Sequence, residues 1–240
     1  MKKIELTEKQ ITEAKNILSA FKTYVAFSHN KDSAYRFTNI IGIKVCPYCN
    51  IEYAYTVYDG NGLPVLRPDI DHFVPKNSKT GNSNLQLELT NLIPSCLICN
   101  ERLKGRKRFS GADYLHPYFD DFDTIMKFHI NLNDTDYLTE KHFEICFVPS
   151  DDSNETDITR ARNSIQVFRL KERYAFHKDA VVMLFKRMKH YNYTKRQEIG
   201  SLFGIQPTAE QLAFPEAHCE INKTSLGKLK RDIISEYFRF

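Results

Sequence analysis

Two short turns in this chain carry paired thiols: Cys46 and Cys49 in "CPYC", and Cys96 and Cys99 in "CLIC". Four thiolates arranged tetrahedrally make a closed Zn²⁺ site with no open coordination position, which is a structural role and not a catalytic one. A thioredoxin-like redox pair suits the pattern poorly, because the two motifs flank a hairpin instead of opening a helix after a parallel strand. Between them runs "RPDIDHFVPK", where Asp69, Asp71 and His72 interrupt an otherwise apolar, strand-like stretch. A strand that carries two carboxylates and an imidazole has given up core-packing surface. Phosphodiester hydrolysis would use such groups, since it needs an activated water, stabilised charge on the phosphate and a fixed geometry.

Further polar residues stand close by. Asn91 lies in "TNLIPSC", Asn100 comes directly after the second knuckle, and "ERLKGRKRF" brings Arg102, Lys104, Arg106, Lys107 and Arg108 together. The order Asp-His, Asn, Cys-x-x-Cys-Asn with a basic helix behind it resembles the HNH, or ββα-metal, endonuclease family. The resemblance covers roughly residues 44–108. It implies that His72 is the general base, that Asp71 and Asn100 ligate one Mg²⁺ or Mn²⁺, and that Asn91 bonds the loop and orients His72. Oxygen ligands suit such a hard ion as thiolates suit zinc. Lys104, Arg106, Lys107 and Arg108 would grip phosphates without reading sequence, and Lys76 and Lys79 would add to that grip. Neighbouring side chains of a strand point to opposite faces. The reading therefore requires a twist or break at "DHFVP", which Pro75 makes reasonable. Asp69 shares a face with Asp71 and stays open between accessory ligand, orienting group and solvated carboxylate. His116, in "LHPYFDDF", stays open between a metal or phosphate contact and a packed His-Pro turn.

These residues need elements to hold them. "TEKQITEAKNILSAFKTYVAFS" predicts one amphipathic helix, with Ile11, Ala14, Leu18, Phe21 and Val25 on its apolar stripe and a capping box from Thr7 to Gln10. A shorter helix over about 33–41 leads to Cys46. "IEYAYTVYD" reads as a strand, "DGNG" as a hairpin turn, and "LPVLRPDIDHFV" as the returning strand. A polar loop comes next, and the chain turns helical near Cys96. "IMKFHINL" and "HFEICFV" predict two more strands, Cys146 being a small buried hydrophobe in the second. From about Asp157 the chain reads as helical, with one stripe at Phe176, Ala180, Leu184, Met188 and Tyr191 and another at Leu226, Leu229, Ile233 and Tyr237. The expected fold is α+β: a zinc-stabilised ββα-metal core over 44–110, embedded in a largely helical body formed by 1–43 and 111–240. No partner for Cys219 is legible.

Composition bounds the rest. With 240 residues, 42% hydrophobic and 27% charged, the chain can bury a core and is not of the disordered class. No apolar run approaches the roughly 20 residues of a membrane span, and the charged start "MKKIELTEKQ" lacks the apolar region of an export signal. A cytoplasmic protein without membrane contact is the expectation. The net charge of +4 is small, so the case for nucleic acid, double-stranded DNA in the first place, rests on where the charge lies. Chains of this architecture also look like nuclease subunits of bacterial anti-phage systems of the Septu type, which implies an ATPase partner chain. No Walker A pattern occurs here. The competing expectations are a zinc-stabilised nucleic-acid-binding module without catalysis and a zinc-scaffolded protein-interaction subunit.

Overall fold

In the computed structural model, which describes residues 1–75, 83–132, 142–204 and 220–237, Thr7 opens helix α1 (Glu8–Ser19) through the expected capping box with Gln10. The helix then stops. Thr23 takes an extended conformation and its hydroxyl accepts from the Ala26 amide, starting a separate helix α2 (Tyr24–His29). A threonine that can cap favours a fresh N-terminus over an interior position. The single helix expected over this stretch is therefore two, and the break costs Val25 its place on the stripe: it is exposed. Asn30 caps α3 (Lys31–Ile41), and Gly42 ends it at φ 69°.

The central strands pair differently from expectation. β1 (Val57–Tyr58) and β2 (Pro64–Leu66) do form an antiparallel hairpin around "DGNG", where Asp59 Oδ1 accepts from the amides of Asn61 and Leu63. The returning strand is interrupted at Arg67 and Pro68. The next strand, β3 (Asp69–His72), leaves the hairpin and pairs antiparallel with β4 (Leu92–Ser95), Asp71 opposite Ile93 and His72 opposite Leu92. β4 read as the approach to a helix because all four of its residues are buried, so it shows no alternation. Its Pro94 is tolerated because a two-stranded sheet leaves each strand one unpaired edge. After Cys96 the backbone winds as a π-helical segment, Ile98–Lys104, ended by Gly105 at φ 53°. The order around the knuckles is thus strand, strand, helical segment, though not with the strands expected.

Beyond it, α4 (Phe122–Ile125) leads into β5 (Met126–Leu132), which pairs along its whole length with β6 (Phe143–Pro149). Cys146 is half-buried on β6, its thiol on the His129 carbonyl. Helices α5 (Glu155–Val167), α6 (Leu170–Ala175), α7 (Lys178–His190), α8 (Tyr193–Phe203) and α9 (Gly227–Tyr237) complete the described body. The mixture of helix with small antiparallel sheets is of α+β kind. Leu226, Leu229 and Ile233 are buried as the periodicity predicts. Phe176 is not: at 85% exposure it sits between the end of α6 and the start of α7, out of phase with the stripe assigned to it. One continuous core joins residues of α1, the knuckles, β3–β6 and α9. Among the described residues no helix is long and apolar enough to cross a membrane. Lys76, Lys79 and Cys219 lie outside the described residues.

A charged cluster locks α9 onto this core. The Lys228 ammonium, fully buried, reaches Asp123 Oδ1 at 2.7 Å and Asp232 Oδ2 at 2.8 Å. Arg231 also clasps Asp123, and Asp232 Oδ2 accepts the Phe128 amide at 2.9 Å. Burial alone would raise the Asp123 carboxyl, but Arg231 and Lys228 hold it well below the usual carboxylate range. Asp123→Asn is therefore expected to cost about 3 kcal/mol at neutral pH. Because the folded pKa lies below the unfolded one, that contribution is complete above the ordinary value of 3.8 and fades as the pH falls below it. Urea titrations of both proteins at pH 7 check the loss: a cost below about 1 kcal/mol would contradict a buried, paired carboxylate.

Candidate metal centre and active site

Both knuckles are hydrogen-bonded turns that aim sulfur inward. In the first, the Cys46 amide donates to the Glu52 carbonyl and the Asn50 amide to the Cys46 carbonyl, each at 2.9 Å, below a bridge from Val45 to Tyr53. Asn50 takes a left-handed φ of 53°, a conformation that asparagine tolerates better than most residues. In the second, the Asn100 backbone amide donates to the Cys96 carbonyl at 3.0 Å. The Sγ atoms of Cys46, Cys49, Cys96 and Cys99 all lie within 4.8 Å of one another, and all four residues are buried. Backbone amides point at the sulfurs: Ile51 to Cys49 at 3.5 Å and Cys99 to Cys96 at 3.4 Å.

The donor set fits a structural metal such as zinc. Burial pushes the Cys46 and Cys99 thiols up. Cys49 moves the other way: burial opposes ionisation, yet hydrogen bonds from the other three thiols draw its pKa down. A divalent cation at this centre would take all four sulfurs as thiolates. Arg173 stands ready for the resulting negative charge, its Nη1 donating to Cys99 Sγ at 3.3 Å. Burial would lower its pKa, but the thiolates of Cys49 and Cys99 raise it.

Residues far away in sequence close round this centre, and sequence reasoning missed them. Asn50 is 1% exposed; its side chain donates to the Ile221 carbonyl at 2.7 Å and accepts the Lys228 amide at 2.9 Å, stitching the first knuckle to the start of α9. The Tyr174 hydroxyl, on α6, donates to the Cys49 carbonyl at 2.7 Å. A lone Asn or Arg in a helix-rich sequence gives no signal for such contacts. Only the asparagine directly after a Cys-x-x-Cys turn was available as a hint.

His72 ends β3 on the face opposite Asp71, as strand geometry requires. Its Nε2 lies 3.0 Å from the Gln86 carbonyl oxygen, and its ring meets Tyr24 edge-on at 4.3 Å. A carbonyl only accepts, so Nε2 is a nitrogen that carries a proton. Asn91 fastens the chain just beyond: its Oδ1 accepts the Val74 amide at 2.7 Å, and its Nδ2 donates to the carbonyls of Val74 at 3.2 Å and Leu85 at 3.0 Å. Burial raises the Tyr24 phenol to about 12, so it stays protonated.

Asp71 and Asn100 have separate partners in the structure. Asp71 is buried, with Oδ2 accepting the Tyr48 hydroxyl at 2.6 Å and Oδ1 accepting the Lys104 ammonium at 2.7 Å. Lys104 also donates to the His72 carbonyl at 2.5 Å. The Asn100 side-chain amide donates instead to Asp69 Oδ2 at 3.2 Å. A Mg²⁺ or Mn²⁺ ion on Asp71 would meet the Lys104 ammonium already seated on that carboxylate, and like charge opposes it there, whereas Asn100 would ligate through Oδ1 and could keep its bond to Asp69. Asp69, left open by the sequence, is the carboxylate that meets Asn100. Lys104 departs from the exposed basic run expected of it: its ammonium is buried on Asp71, and burial lowers its pKa. Arg106, Lys107 and Arg108 remain exposed. His116 is a packed residue, its ring 4.1 Å from Phe73 and its Nδ1 accepting the Tyr118 amide, and burial lowers its pKa to about 4.

Lys104→Met would leave the Asp71 charge buried and unpaired, an expected loss of about 3–5 kcal/mol that Lys104→Met/Asp71→Leu should largely restore. Chemical denaturation of the three proteins checks it, and a single-variant cost below about 1 kcal/mol would contradict a buried ion pair. Comparison with protein-family models, with curated proteins and with solved structures finds no match for this chain.

Proposed function

We propose that the chain is an HNH-type endonuclease that hydrolyses phosphodiester bonds in DNA, with the zinc centre as its scaffold. The observation that carries this reading is His72: a histidine at a strand end, its tautomer set by the Gln86 carbonyl and the chain beyond it clamped on both sides by Asn91. In its neutral form the ring would use Nδ1 to take a proton from the attacking water. A base positioned in this way contributes typically about 10²–10⁴-fold to rate. The Tyr24 ring edge limits rotation of the imidazole, and the exposed Arg106, Lys107 and Arg108 supply positive charge for the substrate backbone. Dependence on Mg²⁺ or Mn²⁺ belongs to the same proposal through the family resemblance, as does service in an anti-phage system beside an ATPase chain.

Incubation of the purified chain with supercoiled plasmid in Mg²⁺, Mn²⁺ or EDTA tests it. Nicked or linear product with a divalent ion, and none in EDTA, is the expected result. The closed Lys104–Asp71 pair favours the second reading, a zinc-stabilised nucleic-acid-binding or protein-interaction subunit without catalysis. Binding of DNA with no cleavage under any ion, alone or with a partner ATPase, would select that one.

A further inference from the structure

An open cleft of about 590 Å³ lies between the π-helical segment and the corner joining α5 to α6. Arg102 and Lys107 line one wall; Asn163, Gln166 and Arg169 line the other, with Tyr114 also on the lining. Three of these residues are cationic, two are amides, and no carboxylate lines the cleft among the described residues. Arg169 pairs with Glu172 at 2.8 Å, but both side chains are more than half exposed, so the pair is screened and readily exchanged for another anion. Neither Arg102 nor Lys107 has a carboxylate partner among the described residues. Asn163 spends its Nδ2 on the Asp113 carbonyl, which fixes the amide at the cleft wall.

The corner is tied to the His72 region through aromatic packing. Phe168, next to Arg169, is buried and stacks on Tyr48 at 4.6 Å, and the Tyr48 hydroxyl holds Asp71. Phe109 stacks on Tyr114 at 3.8 Å with its ring nearly parallel, while the Lys104 ammonium lies 5.0 Å from the centre of the Phe109 ring. Arg169 itself holds a left-handed φ of 51°, an uncommon conformation for a long side chain that persists only where its surroundings enforce it. The backbone of the α5–α6 corner is thus tied through Phe168 and Tyr48 to the strand that carries the candidate base.

We infer that this cleft binds the sugar-phosphate backbone of double-stranded DNA, with Arg102, Lys107 and Arg169 on its phosphates, so that the helical body forms half of the substrate path. The inference rests on the nuclease reading for its substrate class, but binding tests it apart from cleavage. Fluorescence anisotropy of a labelled DNA duplex, in EDTA over a salt series, compares wild type with Arg102→Gln/Arg169→Asn. Asparagine is chosen at 169 because it accepts a left-handed φ. Each lost phosphate contact flattens the log–log salt dependence by about 0.9, so the double variant should lose about 2 from the slope and bind about tenfold more weakly or worse at moderate salt. Lys9→Gln, at an exposed position of α1, serves as control and should retain the wild-type slope. Thermal melting confirms that the variants are folded; if the double variant is not, Arg102→Gln alone should lose about 1 from the slope. An unchanged slope in a folded variant overturns the cleft even if wild-type protein cuts DNA. A flattened slope in a protein that never cuts supports the cleft and overturns the nuclease reading. Absence of any DNA binding by wild type overturns both.

Discussion

Cys46→Ser is expected to release the zinc and to unfold much of the chain at temperatures where wild type is intact. A structural tetrathiolate zinc site contributes on the order of 10 kcal/mol of apparent folding free energy near pH 7, which is comparable with the whole stability of an ordinary domain, about 5–15 kcal/mol. The centre in this protein joins distant parts of the chain, because Asn50 bonds to both sides of the α9 start and Tyr174 and Arg173 reach the knuckles from α6. Loss of the ion should therefore loosen α6 and α9 together with the knuckles. Zinc content by elemental analysis should fall from one ion per chain to well below one, and the thermal transition should drop and broaden; Cys96→Ser should do the same. Unchanged melting with unchanged zinc content would refute a structural metal at these four thiols.

His72→Ala is expected to remove DNA cleavage, by about 10²-fold or more, while the protein stays folded. The side chain meets the Gln86 carbonyl and the Tyr24 ring, and neither contact ties distant parts of the chain together as the four thiols do. The pH dependence supplies an independent reading. A base must be neutral to act, so wild-type activity should fall in acid. His116, lowered to about 4 by burial, would contribute only to the most acidic part of that limb. A His116→Gln variant that loses the acidic limb would move the base away from His72.

What the sequence disclosed was what local spacing dictates. Paired Cys-x-x-Cys turns, the Thr7–Gln10 capping box, the "DGNG" hairpin and the β5–β6 alternation are all written within a few residues of themselves, and each is found in the structure. The partner of β3 was not legible, because Leu92–Ser95 is uniformly buried and carries a proline, which hides a strand from periodicity. The interior position of Lys104 was hidden for another reason. A lysine within "ERLKGRKRF" reads as solvated, and only the approach of β3 to the π-helical segment brings a buried carboxylate to meet it. The same approach gives Asp71 to Lys104 and leaves Asn100 with Asp69. The α5–α6 corner, far along the chain from the second knuckle, carried no motif at all; its basic character matters only once folding sets Arg169 across from Arg102.

The central claim meets its most direct test in one assay: the rate of plasmid nicking by folded wild type and folded His72→Ala, side by side in Mg²⁺ or Mn²⁺. The account predicts divalent-dependent cleavage by wild type and a loss of about 10²-fold or more in the variant. Equal cleavage by the two proteins would contradict it.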